Sequence, residues 1–346
     1  MTELKFISKP NIEANTNYNV FESIMGNEYI VIDWTMGNTC NYHCTYCPDW
    51  INDGSVGWPE LEDFENFIEK CTSHYKSIGK KLVWNLLGGE PTVWKYFTEA
   101  CSIIKKYDPD SGIRILTNGS RTLRWWEKNG HFFDEVIISY HPENADYIHC
   151  CEVSNILYKH GVNVSIQVCL YPPLFETCLA AAEHYHNNSY SNSILIKALQ
   201  EVLGSPKTFD YDKEKLAQIE KYSGLPRLRK LQDQEEKSIE QKFLRRFYGK
   251  MMRFIDTNTG KQEVFDSISE LMIDGRNTFK GWHCNIGIDT LNIDMFGNVT
   301  SGSSCNHHIN HGNVKDVTNI NFPTSGLICE YDWCSCLQDV EASKYR

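Results

Sequence analysis

The sequence predicts an α/β protein whose larger part is an open, partial (β/α)6 barrel, followed by a small domain of β-hairpin and helix. Three observations carry this reading. Between residues 28 and 205, β-branched and aromatic runs alternate six times with helical periodicity, the pattern of parallel strands joined by crossover helices. The alternation stops at Gly204-Ser205-Pro206, residues that punctuate rather than continue an element. A cysteine-rich segment with a hairpin pattern of its own then begins near residue 281.

Residues 1–27 precede the first barrel strand as an N-terminal extension. Within the barrel region, 28–205, strands are expected at 29–34, 81–87, 112–116, 135–139, 163–170 and 194–199. Helices are expected at 59–75, 93–107, 144–160 and 173–187, the first opened by Pro59, a residue suited to a helix's first turn. Residues 206–280 read as a helical linker region, with helical periodicity at 211–222 and 228–248 and a hairpin at 251–265 turned at Asn258-Thr259-Gly260. The last domain, 281–346, opens with a second hairpin, its strands at 290–294 and 299–301 about a turn at Phe296-Gly297-Asn298.

A length of 346 residues suits one large core with a smaller appendage. Hydrophobic residues at 41% and charged residues at 23% exclude a disordered or fibrous chain. No apolar run reaches the roughly 18 residues that span a bilayer, and residues 1–10 lack the basic-then-apolar layout of a secretory signal; a cytoplasmic protein is expected. A net charge of −11 disfavours broad capture of nucleic acid. Residues 225–253 depart from this balance with nine basic against four acidic side chains, which fits either a solvated helix face or a dock for an acidic or phosphorylated partner.

The 14 cysteines are too few for a disulfide scaffold, and a reducing compartment keeps them as thiols. Three fall between positions 40 and 47 and five between 284 and 336. Cys71, Cys101, Cys150, Cys151, Cys169 and Cys178 lie in helix-like or strand-like text. Clustering of that kind points to metal or cluster ligation.

Cys40, Cys44 and Cys47 follow the first strand within eight residues, so three thiolates can converge on one centre. On spacing alone the centre is either an iron–sulfur cluster with one iron left open or a zinc knuckle completed by His43 or a distant cysteine. Gly88-Gly89-Glu90-Pro91 closes the second strand, where glycine admits a ligand close to the backbone and a carboxylate can accept from an ammonium group. Thr117-Asn118-Gly119 closes the third strand, Ser139 the fourth, Gln167 lies near the end of the fifth, and Lys197 to Gln200 close the sixth.

CxxxCxxC with an aromatic residue, here Tyr46, before its last cysteine resembles the signature loop of the radical S-adenosylmethionine (SAM) superfamily, and the GGEP strand end is similar to that family's as well. The resemblance implies a TIM-like partial barrel and a four-iron, four-sulfur cluster on Cys40, Cys44 and Cys47. In that family SAM chelates the open iron, and one electron cleaves it to methionine and a 5′-deoxyadenosyl radical, which abstracts hydrogen from a substrate. Tyr46, Gly88, Gly89, Glu90, Pro91, Asn118, Ser139, Gln167 and Gln200 are the cofactor-binding residues this implies. All of them fall toward the carboxyl ends of strands, where parallel α/β barrels build their sites.

Cys284, Cys305, Cys329, Cys334 and Cys336 flank or follow the second hairpin. The text from Gly281 through Gly297 to Cys305, with Gly312-Asn-Val beyond, resembles a SPASM or twitch extension. A second, auxiliary cluster on four of the five cysteines is implied. The ending Cys329-x4-Cys334-x-Cys336 lacks the CxxC and CxxxC pairs of a full SPASM module, so the shorter twitch form fits better. A structural zinc site from the same cysteines with His307 or His308 is the other reading.

His141 is a candidate acid, base or substrate clamp, or an ordinary turn histidine. Cys169 is a candidate hydrogen-atom donor, as in peptide epimerases of this superfamily, or a buried inert thiol. The substrate implied is a peptide or protein undergoing epimerisation, crosslinking or oxidation. A small molecule such as a sugar, cyclitol or nucleoside, dehydrogenated or rearranged, is the second reading, and a zinc-stabilised binding protein without catalysis the third. Partners implied are an electron donor such as flavodoxin or ferredoxin and a separate peptide-recognition protein.

Overall fold

A computed structural model describes residues 15–23, 28–201, 208–223, 252–265, 268–303, 305, 309–334 and 336–346. The helix expected at 228–248, nearly all of the basic run, His307, His308 and the Gly204-Ser205-Pro206 break lie outside the described residues.

All six expected barrel strands are present: β2 (Tyr29–Thr35), β3 (Lys81–Leu87), β4 (Gly112–Thr117), β5 (Glu135–Tyr140), β6 (Asn163–Leu170) and β7 (Ser193–Ala198). They pair in that order, every ladder parallel. Alternation sets the two faces. Ile30, Ile32 and Trp34 of β2, Leu82, Trp84 and Leu86 of β3, and Val164, Ile166 and Val168 of β6 are buried in the core beneath the crossover helices. The residues between them turn inward, and the sheet is open rather than closed.

After α1 (Asp49–Asn52), the crossovers are α2 (Leu61–Ser77), α3 (Phe97–Tyr107), α4 (Leu123–Asn129), α5 (Tyr147–Lys159) and α6 (Phe175–Asn188). In α2 the buried Phe64, Phe67, Ile68, Cys71 and Tyr75 form one helical stripe. Phe64 stacks on Trp34 with ring centroids 4.9 Å apart, and Phe67 meets Trp84 edge-on at 6.3 Å. Pro59 does not occupy the first turn. Glu60 is the extended N-cap and its carbonyl receives the first helical bond, from Phe64 N at 3.0 Å, so the proline shapes the approach. Likewise Pro91–Val93 and Pro172–Leu174 form single 3-10 turns ahead of α3 and α6. α4 was not expected; the Thr122 side chain caps it, accepting from Trp125 N at 3.3 Å.

Beyond α7 (Lys213–Glu220) the hairpin expected at 251–265 is present as β8 (Met252–Ile255) and β9 (Gln262–Phe265). It belongs to a second sheet. β1 (Val20–Ser23), from the stretch read as an N-terminal extension, pairs with β8 on one side and with the last strand, β15 (Lys344–Tyr345), on the other. β10 (His283–Cys284) and β14 (Leu327–Ile328) complete it, in the order β14-β10-β15-β1-β8-β9. Its core gathers Phe21, Phe254, Phe279 and Trp282 with residues of α8 (Ile268–Ile273).

The 290s hairpin is present as β11 (Thr290–Ile293) and β12 (Asn298–Thr300), followed by β13 (Asn310–Asn313). It does not stand apart from the barrel. β11 lies parallel to β2 with Thr290 opposite Val31, so the barrel sheet runs to nine strands. α9 (Leu337–Glu341) closes the chain's last turn against β11, where Gln338 Nε2 donates to Leu291 O at 3.2 Å. No helix among the described residues is long and apolar enough to cross a membrane.

Candidate functional site

The loop leaving β2 continues to pair with the end of β3. Met36 N donates to Leu87 O at 2.9 Å, Gly89 N to Gly37 O at 3.1 Å and Glu90 N to Thr39 O at 2.9 Å. Contact this close explains both glycines. A Cβ on Gly89 would stand 2.4 Å from Thr39 O, while Gly88, at φ +149°, would put one 2.7 Å from Gly37 O. The glycine pair therefore welds the cysteine loop to the β3 end. Asn38 closes the far side, donating to Trp50 O at 3.0 Å and accepting from Val56 N at 2.8 Å.

Glu90 is fully buried, and its carboxylate is held by the chain itself. It accepts from Thr92 N at 3.1 Å, Thr92 Oγ1 at 2.6 Å, Thr117 Oγ1 at 2.8 Å and Asn118 N at 2.6 Å. The motif thus joins the ends of β3 and β4. Burial pushes the Glu90 carboxyl above its ordinary range, against the pull of those donors. Pro91, also buried, opens the 3-10 turn that carries Thr92.

Cys44 is buried, and Cys40 and Cys47 are partly exposed. Each thiol is pushed up by burial, Cys47 to about 11 with a further push from Cys44 and Cys40. Neutral thiols are poor ligands, and a cation among them would release the protons. Two amides already point at sulfur: Asn144 Nδ2 to Cys44 at 3.3 Å and Asn118 Nδ2 to Cys40 at 3.9 Å. Among the described residues no three His, Cys, Asp or Glu side chains close on a single-ion site. Three free thiols on one loop, two of them already met by amide N–H groups, are a donor set of the kind that holds an iron–sulfur cluster.

Tyr46 leans over the ends of β5 and β6. Its hydroxyl lies 2.9 Å from His141 Nδ1, its ring is stacked on the imidazole at 5.9 Å, and the Tyr171 ring is tilted against it at 4.9 Å. Thr45 N and Oγ1 both donate to Glu143, each at 2.7 Å. His141 is driven down to about 4 by burial and by Lys197, so it is neutral at ordinary pH. Cys169 is buried on the inner face and pushed up to about 12. Ser139 and Gln167 face each other across the β5–β6 ladder. Gln200 lies beyond β7, bridged to Thr208.

The sequence-predicted residues at 40–47, 88–91, 118, 139, 141, 167 and 169 are therefore gathered about one mouth. Glu143, Asn144, Tyr171 and Asn38 belong to it too. Only the fold brings them there, although each follows directly on a strand or its loop.

The C-terminal cysteines collect elsewhere. Cys284, Cys329 and Cys334 lie within electrostatic reach of one another, and Cys305 packs against the small apolar cluster that contains Cys284. Cys336 Sγ lies 2.6 Å from Ser303 Oγ. Asp339 pins the Cys305 turn, accepting from Ser303 N and Cys305 N at 3.0 Å each.

Residues 34–148 match the model of the Radical SAM superfamily. These residues form a radical SAM domain. The match starts in β2 and ends in α5, so it contains the cysteine loop, the GGE strand end and the Asn118 turn. The GTP 3′,8-cyclase of Klebsiella pneumoniae (strain 342) is 28% identical over 101 residues, 28% of this chain. This chain thus spans 29% of that relative's length. Among solved structures, SuiB of Streptococcus suis bound to the precursor peptide SuiA is similar at 14% identity and TM-score 0.47, over 83% of this chain and 62% of that one. BtrN in complex with AdoMet and 2-DOIA gives 13% and 0.40 over 83% and 79% of the two chains. The anSMEcpe structure with bound AdoMet gives 14% and 0.46 over 83% and 78%.

Proposed function

We propose that this chain is a radical SAM enzyme that removes a hydrogen atom from a peptide or protein substrate. The observation that carries the reading is the triple of thiols, one buried and two partly exposed, welded by backbone pairing to a GGE strand end inside the matched domain. When bound there, a four-iron cluster and SAM supply one-electron cleavage and the 5′-deoxyadenosyl radical. Cys40, Cys44 and Cys47 would hold the cluster, with Asn118 and Asn144 donating to sulfur. Gly88 and Gly89 let the cysteine loop lie directly against the end of β3, while Ser139 and Gln167 offer polar groups from the inner face. Glu90 positions the ends of β3 and β4 rather than meeting a ligand with a free oxygen. Tyr46, His141 and Tyr171 wall one side of the mouth and keep water from it.

In this reading Cys284, Cys305, Cys329 and Cys334 hold an auxiliary cluster, and Cys336, engaged with Ser303, stays outside the set. A peptide substrate is favoured by the hydrogen-bonding groups on β6 and β7, and a small electron-donor protein such as a flavodoxin would reduce the first cluster. Anaerobically reconstituted protein with dithionite and SAM should release 5′-deoxyadenosine, and Cys44→Ala should abolish that release. Undiminished release from the Cys44 variant would overturn the assignment.

A further inference from the structure

We infer that Lys197 is the centre of an anion-binding subsite for the substrate, completed by Gln167, and that it takes a carboxylate belonging to an amino-acid or peptide substrate. The inference deepens the function proposed above and rests on it.

Strand alternation places the residue. Ile194 is buried beneath the helices and Ile196 packs there too, so Ser193, Leu195 and Lys197 point into the barrel. Ser193 Oγ donates to Ser165 Oγ of β6 at 2.8 Å, which fixes that face. Lys197 stands opposite Cys169 in the parallel ladder and Leu195 opposite Gln167. The ammonium group therefore rises at the carboxyl end of the last barrel strand. Cys47, Cys169 and His141 all feel its charge.

The described residues around it leave it without a protein partner. Among the described residues Lys197 makes no hydrogen bond or ion pair, and its side chain is exposed at the mouth. Two acids of the mouth are committed elsewhere: Glu90 to its four donors and Glu143 to Thr45. Arg114, the cation deeper on the inner face, is paired with Glu135 at 2.8 Å. In a chain of net charge −11, an unpaired ammonium on a concave face is a local reversal of sign, so an anion held there is recognised at short range.

Gln167 supplies the second half. Its Oε1 is buried with no hydrogen-bond partner among the described residues, and such an acceptor is costly unless a donor arrives. One ammonium and one amide oxygen on adjacent strands match a ligand with a carboxylate and an N–H a few bonds apart. An N-acylated amino acid, the end of a peptide, has both. Leu195, 44% exposed, opposite Gln167 and one inward position before Lys197, offers an apolar seat for the intervening carbons.

The test uses the holoprotein with 13C-methylated lysines, the Lys197 resonance being the one missing from Lys197→Arg. With SAM present, N-acetylglycine should shift that resonance saturably, whereas its methyl ester should not. In Lys197→Met, calorimetry should show N-acetylglycine binding at least tenfold weaker, and Gln167→Leu should weaken it as well. Iron and sulfide content establishes that each variant is folded and loaded.

Three results would overturn the inference. Saturation of the Lys197 shift by SAM alone, with parallel loss of SAM affinity in Lys197→Met, would assign the ammonium to the cofactor's carboxylate. A change in the midpoint potential of the first cluster without any N-acetylglycine response would make Lys197 a counter-charge to the thiolates. An equal response to the methyl ester would remove the requirement for an anion. Failure of the underlying function shows separately, as wild-type protein that releases no 5′-deoxyadenosine.

Discussion

Buried thiols become ligands only when something replaces their protons, and the sulfurs at 40, 44 and 47 are held in that state by burial and by one another. Removing Cys40 or Cys47 should therefore cost the iron of one cluster, read by iron and sulfide analysis, while leaving the fold intact. Glu90 is different. Glu90→Ala would strip partners from Thr92 N, Thr117 Oγ1 and Asn118 N at once. At about 1–3 kcal/mol for each buried group left unsatisfied, a loss of at least about 3 kcal/mol is expected in denaturant unfolding. His141 sets a pH dependence. Its folded pKa, about 4, lies below the ordinary 6.5, so below pH 6.5 the unfolded chain binds a proton that the folded chain refuses. Stability is full above that pH and falls as pH drops toward 4. Melting curves of His141→Asn across that window should be flatter than those of the parent. The cysteines, Tyr46 and the GGE residues were legible because their chemistry lies within short stretches of sequence. Lys197 was legible as the end of the sixth strand, whereas Glu143, Asn144 and Tyr171 become site residues only when strand ends meet.

The element on which the site depends is the join between the cysteine loop and β3. Gly89→Ala would drive a Cβ into the Thr39 carbonyl at 2.4 Å, and backbone on both sides cannot yield cheaply. Poor cluster loading and a clear drop in melting temperature are expected, whereas Gly79→Ala, with open space around its Cβ, should load normally and lose only what its positive φ demands. The six barrel strands were readable because a parallel strand beneath helices shows as an apolar run. Helix starts were less so. Proline at 59, 91 and 172 marks the approach to a helix in each case, since the chain spends a cap or a 3-10 turn before the α-helix begins. α4 is not legible in the sequence because seven residues hold barely two turns of periodicity; its local signal is Thr122.

At the scale of the whole molecule, the chain's two ends and its middle meet in one sheet. Val20 pairs with both Tyr345 and Ile255, contacts so distant in sequence and strands so short that no local pattern announces them. β11 joins β2 in parallel for the same reason, tying the C-terminal cysteines to the barrel. Lys344 stabilises that junction, its buried ammonium donating to the carbonyls of Asp339, Val340 and Ala342 at the end of α9. Lys344→Met should lower stability by at least about 2 kcal/mol and loosen the Cys305 turn pinned by Asp339, seen as iron lost from the second site before the first. The most direct measurement is electron–nuclear double resonance on the reduced, reconstituted protein carrying SAM labelled with 15N at its amino group and 17O at its carboxylate. Hyperfine coupling of both labels to the cluster, lost in Cys44→Ala, is the predicted result. A reduced cluster at Cys40, Cys44 and Cys47 that shows coupling to neither label would contradict the account.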